Sequence, residues 1–133
     1  IASRRSYTNS NASFIPSEQW RGVRIIRCWS SAFGKGAKWR RALDFATFLV
    51  SCALQLFIVK HPDAVVALTS PPLVSVLGAA AARLRGSRFL YWVMDLNPDE
   101  AIAAGWLSPA SFSARFLEAL SRFSLRNADS IVA

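Results

Sequence analysis

Arg88-Phe-Leu-Tyr-Trp-Val-Met-Asp-Leu-Asn-Pro-Asp-Glu100 decides how this chain is read. It opens as an unbroken apolar run and ends in acids and a proline. A short run of aromatic and β-branched residues suits a strand buried on both faces. The polar residues that follow would then sit at the strand's carboxyl end, the edge where open α/β sheets bind ligands. Asp95, Asn97 and Asp99 are therefore the first candidates for function.

Working outward, the flanking segments alternate. Asp63–Thr69 is a second apolar run and reads as a buried strand. Ser70-Pro71-Pro72 has the form of a helix start, with serine as N-cap and proline in the first turn. The alanine-rich segment 73–85 then ends at Gly86. Asn97-Pro98-Asp99-Glu100 resembles a capping box, Glu100 standing three after Asn97. Ser108-Pro109 opens a further helix, with Phe112, Phe116, Leu120 and Phe123 on one face and Arg115, Glu118, Arg122 and Arg126 on the other. Ser130–Ala133 is a last strand.

Upstream, Lys38–Lys60 reads as a helix with one narrow polar stripe, Arg40, Asp44, Thr47, Ser51 and Gln55. Residues 45–59 carry no charge. Fifteen helical residues cover only about 22 Å against roughly 30 Å of bilayer hydrocarbon. A helix lying on a sheet is the better reading, and one dipping into a membrane surface stays open. Val23–Trp29 is a strand whose arginines suggest an edge, and 3–19 reads as a loop.

Strand and helix alternation of this kind predicts an α/β, Rossmann-like parallel sheet flanked by helices, with right-handed crossovers. Ile1-Ala2-Ser3 reads as the tail of a strand, so the first strand is expected to be missing. The whole of 1–133 is then an incomplete amino-terminal domain of something longer. Three polar turns fall on one predicted rim: Ser3-Arg4-Arg5-Ser6-Tyr7, Ser70-Pro71-Pro72 and Asp95–Asp99. Asp95 could orient a sugar hydroxyl or act as a base. A helix start at Ser70 would favour phosphate or carboxylate. Arg4 and Arg5 could grip a phosphate or simply be solvated. Asp99 and Glu100 also suit a helix start without any ligand.

Composition bounds the rest. The chain is 53% hydrophobic and 18% charged with net charge +8, which excludes a disordered class. Residues 1–41 hold nine Lys/Arg and one acid, Glu18, whereas 42–133 hold seven of each. The basic excess is thus local. Trp20, Arg21, Lys35, Lys38, Trp39, Arg40 and Arg41 interleave tryptophan with cations, together with Arg24, Arg27, Trp29 and Phe33. That mixture suits an anionic membrane surface, or nucleic acid, which has charge alone behind it and is not the expected partner. Cys28 and Cys52 have no paired spacing and read as two buried thiols, and His61 before Pro62 reads as structural. There is no internal repeat, no GxGxxG after a strand, no P-loop at Gly34-Lys35-Gly36, no GxSxG and no HExxH. A metal site has no support.

Asp63-Ala-Val-Val-Ala-Leu-Thr-Ser-Pro-Pro72, Tyr91-Trp-Val-Met-Asp-Leu-Asn-Pro-Asp99 and Leu125-Arg-Asn-Ala-Asp-Ser-Ile-Val-Ala133 resemble the amino-terminal domain of family 4 glycosyltransferases. The nearest look is to the subgroup that builds bacterial exopolysaccharide, capsule or O-antigen. Ser3–Tyr7 and Gly22-Val-Arg-Ile25 fit the same domain. The resemblance implies the acceptor-side half of a two-domain GT-B enzyme, which retains anomeric configuration and needs no metal or other cofactor. The donor-binding domain, absent here, would hold the nucleotide-sugar. The acceptor would be a glycan, typically linked to polyprenyl pyrophosphate. The enzyme would then be cytoplasmic and peripheral on the inner face of the plasma membrane. This piece alone would be inactive. Arg4, Arg5, Ser70, Asn97 and Asp99 would bind substrate, Asp95 would be catalytic, and the Trp-rich basic segment would touch lipid. Many relatives carry a histidine just before the aspartate matched by Asp95. Here that position is Met94, so the histidine's role is not carried over. The alternative is a non-enzymatic module that docks on membrane through residues 20–41.

Overall fold

The computed structural model describes residues 1–4, 14–31, 33, 38–71, 73–95, 98–105 and 107–133. The chain divides into two compact units, 1–59 and 60–133. The protein is mixed α/β, and its second unit holds a small parallel sheet flanked by helices.

In the first unit, β1 (Ala2–Ser3) runs parallel to β3 (Val23–Cys28), and β2 (Ser17–Trp20) runs antiparallel to β3 on its other side. This corrects two expectations. β3 is the middle strand of its sheet rather than an edge. The segment expected as loop contains β2, joined to β3 by the two-residue turn Arg21-Gly22, where φ is 48° and 82°. Positive φ at both turn positions matches the twist of a tight hairpin, and Gly22 takes it without strain. Arg27 belongs to the fold rather than to a free basic face. It pairs with Glu18, donates to the Ile15 carbonyl at 3.2 Å and covers the Phe14 ring at 5.0 Å.

The helix α1 (Lys38–Ile58) places Phe48 and Cys52 in the buried interior of this unit, where Cys28 also lies. Asp44, Thr47 and Ser51 of its polar stripe turn to the chain leaving β3, whereas Arg40 is exposed. The Asp44 carboxylate accepts from Ser31 Oγ at 2.7 Å and from the Phe33 N–H at 3.1 Å. Thr47 Oγ1 accepts from the Ser31 N–H at 3.0 Å, and Ser51 Oγ from the Trp29 N–H at 3.2 Å. The chain leaving β3 has no ladder partner for these donors, and the helix supplies the acceptors.

In the second unit, β4 (Ala64–Leu68), β5 (Arg88–Trp92) and β6 (Ser130–Val132) form an all-parallel sheet in the order β4-β5-β6. β5, from the stretch quoted first, is central. Between β4 and β5 runs α2 (Val74–Arg85), and between β5 and β6 run α3 (Asp99–Ala103) and α4 (Phe112–Arg126). Successive right-handed crossovers in an order that never reverses carry their helices to one face. Accordingly α2 lies on β4 and β5, and α4 packs beside α2. The core gathers Ala67, Phe89 and Tyr91 of the sheet with Ala79 and Ala82 of α2. Within this unit α2 and α4 lie over one face of the sheet. Val66, Leu68, Trp92 and Val132 are exposed.

Small residues set the layer spacing. A Cβ on Gly78 would lie 2.9 Å from Ala67 Cβ and 3.1 Å from Phe89 Cε2, so α2 rests directly on the sheet. Ser124 of α4 donates to Ser75 of α2 at 3.1 Å, both buried, and Ala114 is buried with them. The face of α4 that packs is thus the small one. Of the apolar face read from the sequence, Phe112, Phe116 and Phe123 are exposed, Phe112 by 82%, and Leu120 is half-buried. Bulky rings do not fit against a helix held this close to its sheet.

Three helix starts differ from expectation. Leu73, at φ 72°, precedes α2, and no side chain caps it, so Ser70 is not an N-cap. Ser111, not Ser108, caps α4, accepting from the Ala114 N–H at 3.2 Å. Pro98 stands at the cap of α3, and Asn97 lies outside the described residues. Gly86 ends α2 in the left-handed region at φ 64°, as the sequence implied.

Candidate functional site at the carboxyl rim of the parallel sheet

Because β4 and β5 run in the same direction, the residues that follow them share one rim. These are Thr69-Ser70 and Met94-Asp95. Thr69 is the hinge between them. Its side chain points into the core side of the sheet and is buried, continuing the alternation that buries Ala67. From there Oγ1 accepts two backbone donors, the Met94 N–H at 3.0 Å and the Asp95 N–H at 3.1 Å. The ladder between β4 and β5 ends at the Leu68 and Trp92 pair, and Thr69 extends the connection beyond it. On the other side of β5, the Val93 N–H donates to the Val132 carbonyl at 2.7 Å.

Ser70 lies one residue on and is exposed. Its hydroxyl donates to Asp95 Oδ2 at 2.9 Å. Among the described residues, Ser70 is the side chain that bonds this carboxylate. The Ser70–Pro71 peptide is cis. Asp95 is half-buried, with its main chain held by Thr69 and one carboxylate oxygen oriented by Ser70. A carboxylate so placed can accept a hydrogen bond from a ligand hydroxyl through its other oxygen, or take a proton from it.

The structure therefore brings together Ser70 and Asp95, which the sequence singled out on separate segments. It adds Thr69, which the sequence reading passed over as the last residue of a strand. The available signal was a hydroxyl residue closing an apolar run directly before the Ser-Pro-Pro turn. Asp99 and Glu100 are exposed at the first turn of the five-residue α3, a position that the helix dipole favours for acids. Met94 is exposed beside Asp95.

The remaining site candidates belong to the first unit. Arg4 is half-buried and engaged locally: its N–H donates to the Cys28 carbonyl at 3.0 Å and its Nε to the Phe14 carbonyl at 3.3 Å. Arg5 and Lys35 lie outside the described residues, as do the side chains of Lys38 and Arg41. Trp20 and Trp39 are exposed, and each carries a guanidinium over its ring, Arg21 at 4.8 Å and Arg40 at 5.4 Å. Among the described residues, no three His, Cys, Asp or Glu side chains gather closely enough to hold a metal ion, and no helix is long and apolar enough to cross a membrane.

Comparison with protein-family models, with curated proteins and with solved structures returns no match to this chain.

Proposed function

We propose that this chain is the acceptor side of a retaining glycosyltransferase, part of the Rossmann-like amino-terminal half of a two-domain GT-B enzyme. The observation that carries the reading is the lock between Thr69-Ser70 and Met94-Asp95. Two of the segments that resemble family 4 glycosyltransferases, 63–72 and 91–99, meet on the same rim, and their hydroxyl and carboxylate groups bond to each other there. The parallel neighbours within each sheet lend further support. They are β1 beside β3 in one sheet and β4-β5-β6 in the other, the strand pairing expected of α/β folds.

On this reading Asp95 receives a hydroxyl of the acceptor sugar and Ser70 holds the carboxylate in the receiving orientation. Asn97 and Asp99 would bind substrate, and Arg4 and Arg5 would meet phosphate of the acceptor or donor. The nucleotide-sugar is supplied by the donor half, outside this sequence. The acceptor is a glycan on a polyprenyl carrier, and the enzyme works at the inner face of the plasma membrane in cell-surface polysaccharide synthesis. The chemistry needs no metal, so transfer should persist in EDTA. The alternative of a non-enzymatic membrane module draws on exposed Trp20 and Trp39 with their arginines. A peripheral enzyme accommodates the same residues.

The test uses the full-length protein with membranes and a panel of labelled nucleotide-sugars. Asp95→Ala should lower transfer by about a hundredfold, the smaller end of what a positioned acid or base contributes. Ser70→Ala should fall between the two. Transfer unchanged by Asp95→Ala would remove this carboxylate from the mechanism.

A further inference from the structure

We propose that Cys28 and Cys52 are a redox pair, two thiols in contact when reduced and, when oxidised by a small-molecule disulfide, a covalent tie between β3 and α1. Their spacing in the sequence gives no sign of this, and the fold brings them together. Cys28 closes β3, where it pairs with Ser3 of β1 and its carbonyl accepts the Arg4 N–H at 3.0 Å. The next residue, Trp29, donates its N–H to Ser51 Oγ at 3.2 Å. The residue after one cysteine is thus bonded to the residue before the other. Asp44, Thr47 and Ser51 hold α1 along the chain leaving β3, and Phe48 and Cys52, each one position further on, are buried beside them. Cys28 is 1% exposed and Cys52 3%. The two thiols are hydrogen-bonded to each other. All of these contacts lie inside the first unit.

Both sulfurs are free. Thiols in hydrogen-bond contact need to approach by only about 1–2 Å to bond. The oxidant is a small disulfide such as oxidised glutathione. One cysteine thiolate attacks a sulfur of the oxidant, a mixed disulfide forms and one glutathione thiolate leaves. The second cysteine, once deprotonated, attacks the protein sulfur of that mixed disulfide, releases the second glutathione and closes the Cys28–Cys52 bond. The protein gives up two protons and two electrons, and the oxidant takes them up as two thiols. Burial governs the rate. It keeps Cys52 protonated, its pKa pushed up to about 12, and a buried protonated thiol is a poor nucleophile. Exchange therefore waits on α1 lifting from β3, and the closed bond is shielded from reductant in the same way. By linkage, whatever factor the fold adds to bond formation the bond returns to the fold. A disulfide closing a loop of this length corresponds to a factor of about thirty to a thousand. The inference stands on the first unit alone and does not rest on the sugar-transfer reading.

The test equilibrates the full chain with reduced and oxidised glutathione, folded and in unfolding urea, starting from the reduced and from the oxidised chain so that slow exchange cannot hide the end point. Acid quenching, alkylation of the remaining thiols and tryptic mapping then measure how much of peptides 28–35 and 42–60 is cross-linked. The ratio of closed to open pair should be about thirty- to a thousandfold higher in the folded chain than in the unfolded one. The oxidised chain should unfold at a urea concentration higher by about 1 M or more, dithiothreitol should reverse the shift, and Cys52→Ala should show none. A closing ratio equal to that of the unfolded chain, or below it, overturns the proposal. So does a glutathione adduct that persists in place of the cross-link, a cross-link found only between two chains, or an equal midpoint shift in Cys52→Ala.

Discussion

Replacing Thr69 by valine tests how the rim is held. The side chain is buried, and valine keeps its shape while removing the oxygen that accepts the Met94 and Asp95 N–H groups at 3.0 and 3.1 Å. Each such bond is worth about 1 kcal/mol net, so two stranded donors cost roughly 2 kcal/mol. That is about a thirtyfold change in the opening equilibrium of this segment. Thr69→Ser keeps the acceptor and gives up one methyl, for a loss of about 1 kcal/mol. Hydrogen exchange over the peptide covering 88–95 reads the effect where it arises, and urea unfolding reads its share of stability. Thr69→Val should speed exchange at Met94 and Asp95 about thirtyfold, and Thr69→Ser much less. On the sugar-transfer proposal, transfer by the full-length protein should fall with Thr69→Val and survive with Thr69→Ser, because the hydroxyl acts by holding the Asp95 main chain. A valine variant that exchanges like wild type would refute the role given to this oxygen. A serine variant as damaged as the valine one would shift the cause to packing.

Two further perturbations probe the two units separately. Gly78→Ala brings a methyl to 2.9 Å from Ala67 Cβ and 3.1 Å from Phe89 Cε2. The gain of about 1 kcal/mol in helix propensity is then outweighed by overpacking, for a net loss of about 1–2 kcal/mol in urea unfolding. A stabilised variant would show that α2 can lift from the sheet. Burial, and then the neighbouring Cys28 thiol, push Cys52 up from 9.0 to about 12. An unfolded thiol ionises first as pH rises, so the folded state loses stability between those two values, roughly 1.4 kcal/mol of it by about pH 10. Cys52→Ala should flatten that alkaline decline relative to wild type, and parallel declines would contradict it.

What the sequence made legible follows from how strongly each feature depends on neighbours in space. The apolar runs that became β4 and β5 are local signals, and their alternation with helices was enough to place Ser70 and Asp95 on a common rim. Helix faces are different, because they answer to shape. The Phe112, Phe116 and Phe123 stripe is the most hydrophobic side of α4, yet Ala114 and Ser124 are the residues that bury. Gly78, Ala79 and Ala82 bring α2 so near the sheet that its neighbour must also present small side chains. That requirement belongs to the packed pair of helices and to neither sequence alone. The polar stripe of α1 likewise takes its meaning from neighbours in space. The sequence shows Asp44, Thr47 and Ser51 only as a narrow stripe, and their partners appear when the chain after β3 is seen to need acceptors for the N–H groups of Trp29, Ser31 and Phe33. Thr69 joins the two cases. As a strand-end residue it carried no signal by itself, and it became visible only when the amides of a second strand arrived beside it. The groups that would meet a ligand could therefore be named from the chain, whereas the group that holds them in place could not.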